Sequence, residues 1–206
     1  MVRNDVKQME AESHAPKNTP VSSLLQVCPL LIFNCGIREN VWAMKRMEQS
    51  NRSEELMYLS AGKIALMEGV RRVHHLNSAA VRTDKSLGDE VGLKNIGIHL
   101  ITIAPGDKST EFHTHQYEEE AIYVLSGNGS EVLGERRQKI GPGDFIGFPT
   151  GGAAHETVND GTEPLVCLVI GQRLAQDVVD YPRRGKRLYR NSGQRDLVDL
   201  AQVEKR

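Results

Sequence analysis

Residues 106–127 have the sequence Gly106-Asp-Lys-Ser-Thr-Glu-Phe-His113-Thr-His115-Gln-Tyr-Glu-Glu-Glu120-Ala-Ile-Tyr-Val-Leu-Ser-Gly127. His113 and His115 are two residues apart, and on a strand this spacing places both imidazoles on one face. Neutral imidazoles are the commonest metal ligands, and acidic residues 118–120 follow at once. A His-x-His pair alone is more typical of surface histidines, so the metal hypothesis needs a second segment.

That second segment is Gly143-Asp-Phe-Ile-Gly-Phe-Pro149-Thr-Gly151-Gly-Ala-Ala-His155-Glu-Thr-Val-Asn159. It adds a third histidine, which follows a Pro/Gly loop and lies in a strand-like context. A His₃-carboxylate site inside a barrel needs two strand segments that present His-x-His and His in this way. The donors suit Fe(II), Mn(II), Ni(II), Zn(II) or Cu(II), and the absence of cysteine ligands disfavours a structural zinc site.

The surrounding sequence predicts an all-β domain. Short β-rich runs alternate with Gly, Pro, Asn and Asp at a spacing of about 8–12 residues, which favours an antiparallel sandwich or barrel. No helix-length pattern interrupts residues 96–172, so a parallel α/β sheet is disfavoured. The predicted strands are Ile96 to Ala104, Thr110 to His115, Ala121 to Leu125, Ser130 to Leu133, Arg136 to Ile140, Phe145 to Phe148, Ala153 to Val158 and Pro164 to Gln172.

The two quoted segments resemble the paired motifs of the cupin superfamily. The first motif is a glycine, H-x-H, x₄, E, x₆, G, and residues 106–127 match it with one extra residue before His113. The second is G-x₅-P-x-G-x₂-H-x₃-N, and residues 143–159 match it with one extra residue before His155. The short spacing between the motifs is similar to that of small single-domain bacterial cupins. The resemblance covers roughly residues 75–190.

The resemblance implies a conical jelly-roll barrel that holds one divalent metal ion. By position in the motifs, it implies that the ligands are His113, His115, Glu120 and His155. Glu120 is preferred to Glu119, because only Glu120 keeps the x₄ spacing from His115 and the x₆ spacing to the following glycine. Cupin barrels commonly pair through their sheets, so a homodimer is also expected.

The chain is expected to divide into three parts. Residues 1–70 form a weakly ordered or partly helical extension with possible short helices over 39–47 and 54–67, residues 71–190 form the cupin barrel, and residues 191–206 form a tail. Translation from an internal methionine such as Met67 is an alternative for the first part. The apolar run 24–33 is interrupted by Pro29 and lacks a cleavage site, so we expect a cytoplasmic protein. No apolar stretch is long enough to span a membrane.

Charge is segregated along the chain. The formal net charge is −1, but residues 95–172 hold four basic and eleven acidic residues. Such a domain does not suit nucleic-acid binding. The segment Arg183-Arg-Gly-Lys-Arg-Leu-Tyr-Arg190 is strongly basic, and a tail that is solvated or lies on the acidic domain is favoured over one that binds an acidic partner.

Several residue types are assigned structural roles. Three irregularly spaced cysteines imply no disulfide framework, and Cys167 is expected in the core. Asn159 is expected to organise a turn. The aromatic residues of the domain are expected in the core or the cavity wall: Phe112, Tyr117, Tyr123, Phe145 and Phe148.

The function expected from these observations is that of a divalent-metal-dependent enzyme acting on a small molecule, isomerase-like or dioxygenase-like. The substrate is not indicated. Glu119, Glu156 and Tyr123 are candidate general bases without a geometric argument. The alternative is a non-catalytic cupin that binds or senses a small molecule, and a structural cupin with a vestigial site is disfavoured because all four ligand types are present. Residues 1–70 show no clear helix-turn-helix pattern, which disfavours direct DNA binding.

Overall fold

The computed structural model of the chain describes residues 43–47 and 57–204. Helix α1 includes residues 43–47, and the remainder of the predicted 39–47 helix lies outside the described residues. Helix α2 is Ala61–Leu66, and helix α3 is Leu87–Glu90. Two 3₁₀ turns are Pro182–Arg184 and Leu200–Gln202. No helix of these described ranges is long and apolar enough to cross a membrane. The apolar run 24–33 lies outside them.

Helix α2 is shorter than the helix predicted over residues 54–67. Residues 54–56 lie outside the described part, and residues 57–60 are not helical. The helix begins after Ser60, whose Oγ accepts a hydrogen bond from the backbone N–H of Lys63 at 3.1 Å. Serine at this position satisfies a backbone donor that the first helical turn leaves unpaired, so it fixes the start of the helix.

Strands dominate the described residues, which confirms the all-β prediction. The strands are β1 (Val70–His74), β2 (Asn77–Ser86), β3 (Ile96–Ile103), β4 (Thr114–His115), β5 (Glu120–Ser126), β6 (Gly129–Leu133), β7 (Arg136–Ile140), β8 (Phe145–Phe148), β9 (His155–Val158), β10 (Leu165–Gln172), β11 (Gln176–Tyr181), β12 (Lys186–Asn191) and β13 (Gln194–Asp199).

The strands form three antiparallel sheets. The first has the order β1-β2-β3-β10-β5-β8, the second β13-β12-β11-β4, and the third β7-β6-β9. An isolated bridge between His113 and His155 connects the second sheet to the third, with backbone hydrogen bonds of 3.1 and 2.7 Å. Two of the metal-ligand candidates, His113 and His155, are therefore held side by side by the backbone itself.

The main hydrophobic core lies between the six-stranded sheet and the β6–β7 hairpin. Residues of β3, β5 and β10 alternate so that every second side chain points inward. The buried members of the core are Ile101, Ile103, Ile122, Val124, Ile140, Phe148, Leu165 and Cys167. The predicted core position of Cys167 is confirmed, and burial raises the pKa of its thiol to about 12. The Cys167 thiol therefore stays protonated at neutral pH.

Turns at two predicted positions are built as expected. Gly127 has φ +80°, and a Cβ there would lie 2.3 Å from the carbonyl oxygen of Pro164, so only glycine fits. The Asn159 side chain is fully buried and donates to the carbonyls of Ile103 and Glu163, both at 2.8 Å, while its Oδ1 accepts from Gly161 N–H. Asn159 therefore ties a turn to strand β3.

The aromatic prediction is correct for two of the five residues. Phe112 and Phe148 are buried, but Tyr117, Tyr123 and Phe145 are exposed by 57%, 41% and 66%. Strand alternation explains Tyr123, because Ile122 and Val124 on either side of it point into the core. Tyr123 thus lies on the outer face of β5, paired with Phe145 of β8.

The basic C-terminal segment lies on the acidic domain. Arg183 Nη1 donates to buried Glu156 at 2.5 Å, and Arg184 Nη2 donates to buried Glu111 at 2.8 Å. The segment also forms strand β12, which pairs with β11 and β13. Since β13 ends at Asp199, regular structure extends past residue 190, where the barrel is predicted to end.

Candidate functional site

The four predicted ligands lie at the ends of short strands and come together at one end of the barrel. His113 directly precedes β4 and His115 ends it, while Glu120 begins β5 and His155 begins β9. The His113–His155 bridge and the pairing of His115 with Val179 of β11 fix the histidine backbones. Glu120 approaches from the six-stranded sheet on the face shared with Ile122.

The donor atoms of these residues form a compact group. Glu120 Oε2 lies 3.6 Å from His113 Nε2, 3.6 Å from His115 Nε2 and 3.5 Å from His155 Nε2. The Nε2 atoms of His113 and His115 are 3.1 Å apart. Ligands bound to one ion at about 2.0–2.2 Å are expected to lie about 3.0–3.5 Å from one another, so these spacings suit a single bound cation.

The hydrogen bonds behind two imidazoles determine which nitrogen atoms face the group. His113 Nδ1 lies 2.9 Å from the carbonyl oxygen of Glu111, and His115 Nδ1 lies 2.6 Å from Asp177 Oδ2. Both acceptors require a proton on Nδ1, so each neutral ring presents its Nε2 lone pair to the other and to Glu120. The three acceptor atoms, the two Nε2 atoms and Oε2 of Glu120, repel one another at these distances unless a cation lies between them.

The charge state of the group follows from burial and from neighbouring charges. Burial raises the pKa of Glu120, but the interactions with the three imidazoles lower it by a larger amount. The net pKa of Glu120 is therefore well below its ordinary value. Burial lowers the pKa of His155, which stays below its ordinary value despite the Glu120 carboxylate. The group thus combines an ionised carboxylate with a neutral imidazole at His155, and these are the protonation states that metal binding requires.

Comparisons with known proteins agree with this architecture. Residues 99–171 match the family model described as the cupin domain. A solved structure from Acidithiobacillus ferrooxidans, provisionally named a sugar phosphate isomerase, is 58% identical with a TM-score of 0.72, and the match covers 74% of this chain and 97% of that one. The chain belongs to the cupin superfamily.

A second solved cupin, from Silicibacter pomeroyi, is named a sugar phosphate isomerase. It is 26% identical with a TM-score of 0.61, and the match covers 68% of this chain and 93% of that one. No curated protein matches the chain. The comparisons therefore establish the family and the jelly-roll fold of this cupin. They do not establish a reaction or a bound metal.

A second group of possible ligands shares His115 with the first. It consists of His115 Nδ1, Glu118 and Asp177. Its carboxylates already have partners: Asp177 accepts from His115 and from the backbone N–H groups of Tyr117 and Glu118, and Glu118 pairs with Arg190. Asp177 and Glu118 therefore lie next to Nδ1 of His115, the nitrogen that does not face Glu120. Burial lowers the pKa of His115, but the interactions with Asp177, Glu120 and Glu118 raise it by more, so the net pKa is above its ordinary value.

A close backbone approach makes room for the Glu120 side chain. Gly171 of β10 pairs with Glu120, and a Cβ on Gly171 would lie 3.3 Å from both Cγ and Oε1 of Glu120. Such a contact is tighter than ordinary van der Waals packing, so a larger residue at this position would displace the carboxylate. Glycine at position 171 thus allows Glu120 to lie across the strand toward the histidines.

The group opens into a cavity of about 190 Å³ inside the barrel. Three of the four proposed ligands, His113, Glu120 and His155, are among the residues that line the cavity. Apolar side chains also line it: Ile101, Ile122, Phe148 and Val169. Polar residues complete the wall: Arg82, Asp84, His99, Ser109, Thr110 and Thr157. The arrangement can hold a small polar molecule against the proposed metal position.

Sequence reasoning did not find the β2 and β3 residues of this wall. Arg82 and Asp84 lie on β2, for which no strand was predicted, and His99 lies on a predicted strand but matches no motif. The structure places Ala80, Arg82 and Asp84 on one face of β2 and His99 on the face of buried Ile101, but the polar sequence of β2 gives only a weak signal of this alternation.

The general bases considered from the sequence lie outside the cavity. Glu119 and Tyr123 are exposed, and buried Glu156 is bound by Lys108 at 2.9 Å and Arg183 at 2.5 Å. None of the three lines the cavity that the ligand group opens into. Strand alternation again explains this for Glu156, because its neighbours His155 and Thr157 line the cavity.

Proposed function

We propose that this cupin is a divalent-metal-dependent enzyme that acts on a small molecule in the barrel cavity, with His113, His115, Glu120 and His155 as the metal ligands. The observation that carries the proposal is the convergence of three imidazole Nε2 atoms at 3.5–3.6 Å from the ionised Glu120 carboxylate, with the Nε2 atoms of His113 and His115 3.1 Å apart. The donor set of three imidazoles and one carboxylate suits Fe, Mn, Ni, Zn or Cu.

A bound divalent ion would supply a Lewis acid that polarises a substrate oxygen. The protein would supply the other parts of the site. Glu111 and Asp177 would fix the orientation of two ligand imidazoles, and the apolar lining residues would limit water around the substrate. The Asp177 hydrogen bond to His115 also increases the basicity of that ligand.

An isomerase-like reaction needs a group that moves a proton, and His99 is our candidate. Its Nδ1 lies 2.8 Å from Asp84 Oδ1, which fixes the tautomer with Nε2 as the acceptor, and Arg173 Nη2 lies 3.4 Å from that Nε2. Burial raises the pKa of Asp84, but the hydrogen bond to His99 and the charges of His99, Arg82 and Arg72 give a net pKa below its ordinary value. Ionised Asp84 would hold the His99 ring in place through this hydrogen bond. This observation favours the isomerase-like over the dioxygenase-like reaction.

The test begins with metal content. Protein purified without an affinity tag is exposed to Fe, Mn, Ni and Zn, and bound metal is measured by mass spectrometry. We expect about one ion per chain in the wild type and none in the His113→Ala/His115→Ala double variant. The matched control is His74→Ala/His75→Ala, which removes two stacked histidines that do not line the cavity and is expected to keep the metal. A wild type that takes up none of these metals would refute the proposal.

Enzyme and binding protein are separated in a second step. A thermal-shift screen of the metal-loaded protein identifies small molecules that stabilise it, and each hit is then tested for turnover. Turnover that is lost in His99→Gln while binding is kept would support the enzyme. Tight binding without turnover for every hit would favour the alternative, a cupin that binds or senses a small molecule.

The homodimer and the cytoplasmic location also belong to this proposal. Exposed Tyr123, Leu125 and Phe145 lie on β5 and on the edge strand β8, where a second barrel would cover them. Light scattering of the purified protein should give twice the chain mass. The mass of a single chain would refute the homodimer.

A further inference from the structure

Strand β2 contributes Arg82 to the lining of the cavity, and most N–H donors of its guanidinium group form no hydrogen bond with the described residues. Arg82 lines the cavity, and its side chain is 28% exposed. One of its five N–H donors bonds to the carbonyl of Ser109. Its remaining contact among residues 57–204 is an ion pair of 3.8 Å with Asp84, too long for a hydrogen bond. A guanidinium that is largely buried with free donors is well suited to bind an oxyanion.

Arg82 shares its neighbouring acid with other groups. Asp84 is the acid next to it, and this carboxylate also bonds to Arg72 Nε at 3.1 Å and to His99 Nδ1 at 2.8 Å. Two arginines thus share one buried carboxylate, and Glu120 of the same cavity is the second acid that acts on Arg82. A divalent ion bound by Glu120 and the histidines would neutralise this second acid, so that Arg82 would be available for the charge of an incoming anion.

The size of the cavity limits what can be enclosed. A buried cavity of roughly 150 Å³ is large enough for benzene, and this one measures about 190 Å³. The enclosed part of a ligand is therefore about six to eight non-hydrogen atoms. A three-carbon chain that carries an oxygen at one end and an acid group at the other has this size.

From these observations we infer that Arg82 binds the anionic end, a carboxylate or a phosphate, of a small oxygenated substrate whose other end reaches the metal position. This inference rests on the proposed function, because it assigns the second oxygen of the substrate to the metal. Arg82 is then the residue that selects acids over neutral polyols.

Calorimetry of the metal-loaded protein tests the inference with lactate, glycerol 3-phosphate and the neutral analogue propane-1,2-diol. We expect an acid to bind at least tenfold more tightly than the diol, because hydrogen bonds to charged groups are worth roughly this much. Preference for lactate would identify a carboxylate, and preference for glycerol 3-phosphate would identify a phosphate. Equal binding of the diol would overturn the inference.

Two arginine variants make the test specific. Arg82→Gln is expected to weaken acid binding at least tenfold while metal content stays that of the wild type. Arg72→Gln is the matched control, since it removes an equal charge from the same carboxylate but does not line the cavity, and its acid affinity should stay within about twofold. If both variants lose affinity equally, Arg82 does not contact the ligand.

The inference and the proposed function can fail separately. Metal uptake without Arg82-dependent acid binding overturns the inference alone. Arg82-dependent acid binding by a protein that takes up no metal supports the anion site and refutes the metal enzyme. If Arg82→Gln does not fold, Arg82→Lys keeps the charge but loses the planar fork, and it should bind the acid several-fold more weakly than the wild type; unchanged affinity would overturn the inference.

Discussion

Two buried carboxylates away from the cavity and the Glu120 carboxylate inside it differ in how their charge is neutralised. Away from the cavity, Glu156 lies 2.9 Å from Lys108 and 2.5 Å from Arg183, and Glu111 lies 2.8 Å from Arg184. Inside it, Glu120 has three imidazoles at 3.5–3.6 Å, beyond the distance of a good hydrogen bond. Asp84, which also lines the cavity, is paired with Arg72 and Arg82, so Glu120 differs from these other carboxylates in having imidazoles and no Lys or Arg ion-pair partner among the described residues, as expected for a metal ligand.

Glu131 is a third case, because it has neither a cation nor an evident metal position. Its side chain is fully buried, Thr157 Oγ1 donates to its Oε2 at 2.8 Å, and its Oε1 has no hydrogen-bond partner among the described residues. Burial raises the pKa of Glu131 to about 8. This carboxyl group is therefore neutral at pH 7.

The largest predicted effect is on pH-dependent stability through Glu131. Because its folded-state pKa of about 8 lies above the ordinary value of 4.5, the stabilising contribution is complete below pH 4.5 and decreases up to pH 8 at about 1.4 kcal/mol per pH unit. Glu131→Gln should remove this slope in urea denaturation between pH 5.5 and 8. Glu135→Gln, exposed on the same hairpin, is the control. An unchanged slope in Glu131→Gln would show that this carboxyl group is ionised in the folded protein.

The next largest predicted effect is on metal affinity, through Asp177, which bonds to Nδ1 of the proposed ligand His115. Asp177→Asn should lower metal affinity about 10- to 100-fold, because the asparagine no longer holds His115 with a charged hydrogen bond. Competition with a chelator measures this affinity. Asp180→Asn removes a carboxylate from the same strand that pairs with Arg187, so it should leave metal affinity unchanged. Equal losses in both variants would mean that Asp177 acts only through general charge.

The smallest effect concerns an ion pair away from the cavity. Arg184→Gln should destabilise the fold by about 1 kcal/mol, since buried Glu111 loses its partner but the arginine is partly exposed. Metal content should not change. Adding Glu111→Gln should recover most of the loss in thermal denaturation, and a strictly additive second loss would exclude coupling between the two side chains.

The motif residues explain how much of the site could be predicted. Two-residue spacing and the paired cupin motifs identified the four residues that converge in the structure. The motifs could not identify Arg82, Asp84 or Asp177, because these residues come from strands that flank the motif region and meet it only through sheet pairing. Their own sequences are also polar: β2 is Asn-Ser-Ala-Ala-Val-Arg-Thr-Asp-Lys-Ser, which carries little apolar alternation.

The fold was predictable in its centre and less so at its edges. Most of strands β3 to β10 contain apolar or β-branched residues between Gly and Pro turns, as in β3, β5 and β10, and the prediction found these strands with shifted ends. Strand β12, Lys-Arg-Leu-Tyr-Arg-Asn, resembles a basic tail when it is considered alone, because the acid that pairs with Arg190, Glu118, is distant in sequence. Pairing between distant charges is a tertiary property that local patterns do not contain.

The most direct test of the metal site is an anomalous-diffraction map of crystals of the metal-loaded protein. We expect one strong peak within about 2.0–2.3 Å of Glu120 Oε2 and of the Nε2 atoms of His113, His115 and His155. A peak between His115 Nδ1, Glu118 and Asp177, or no peak in crystals of protein that contains the metal, would contradict this expectation.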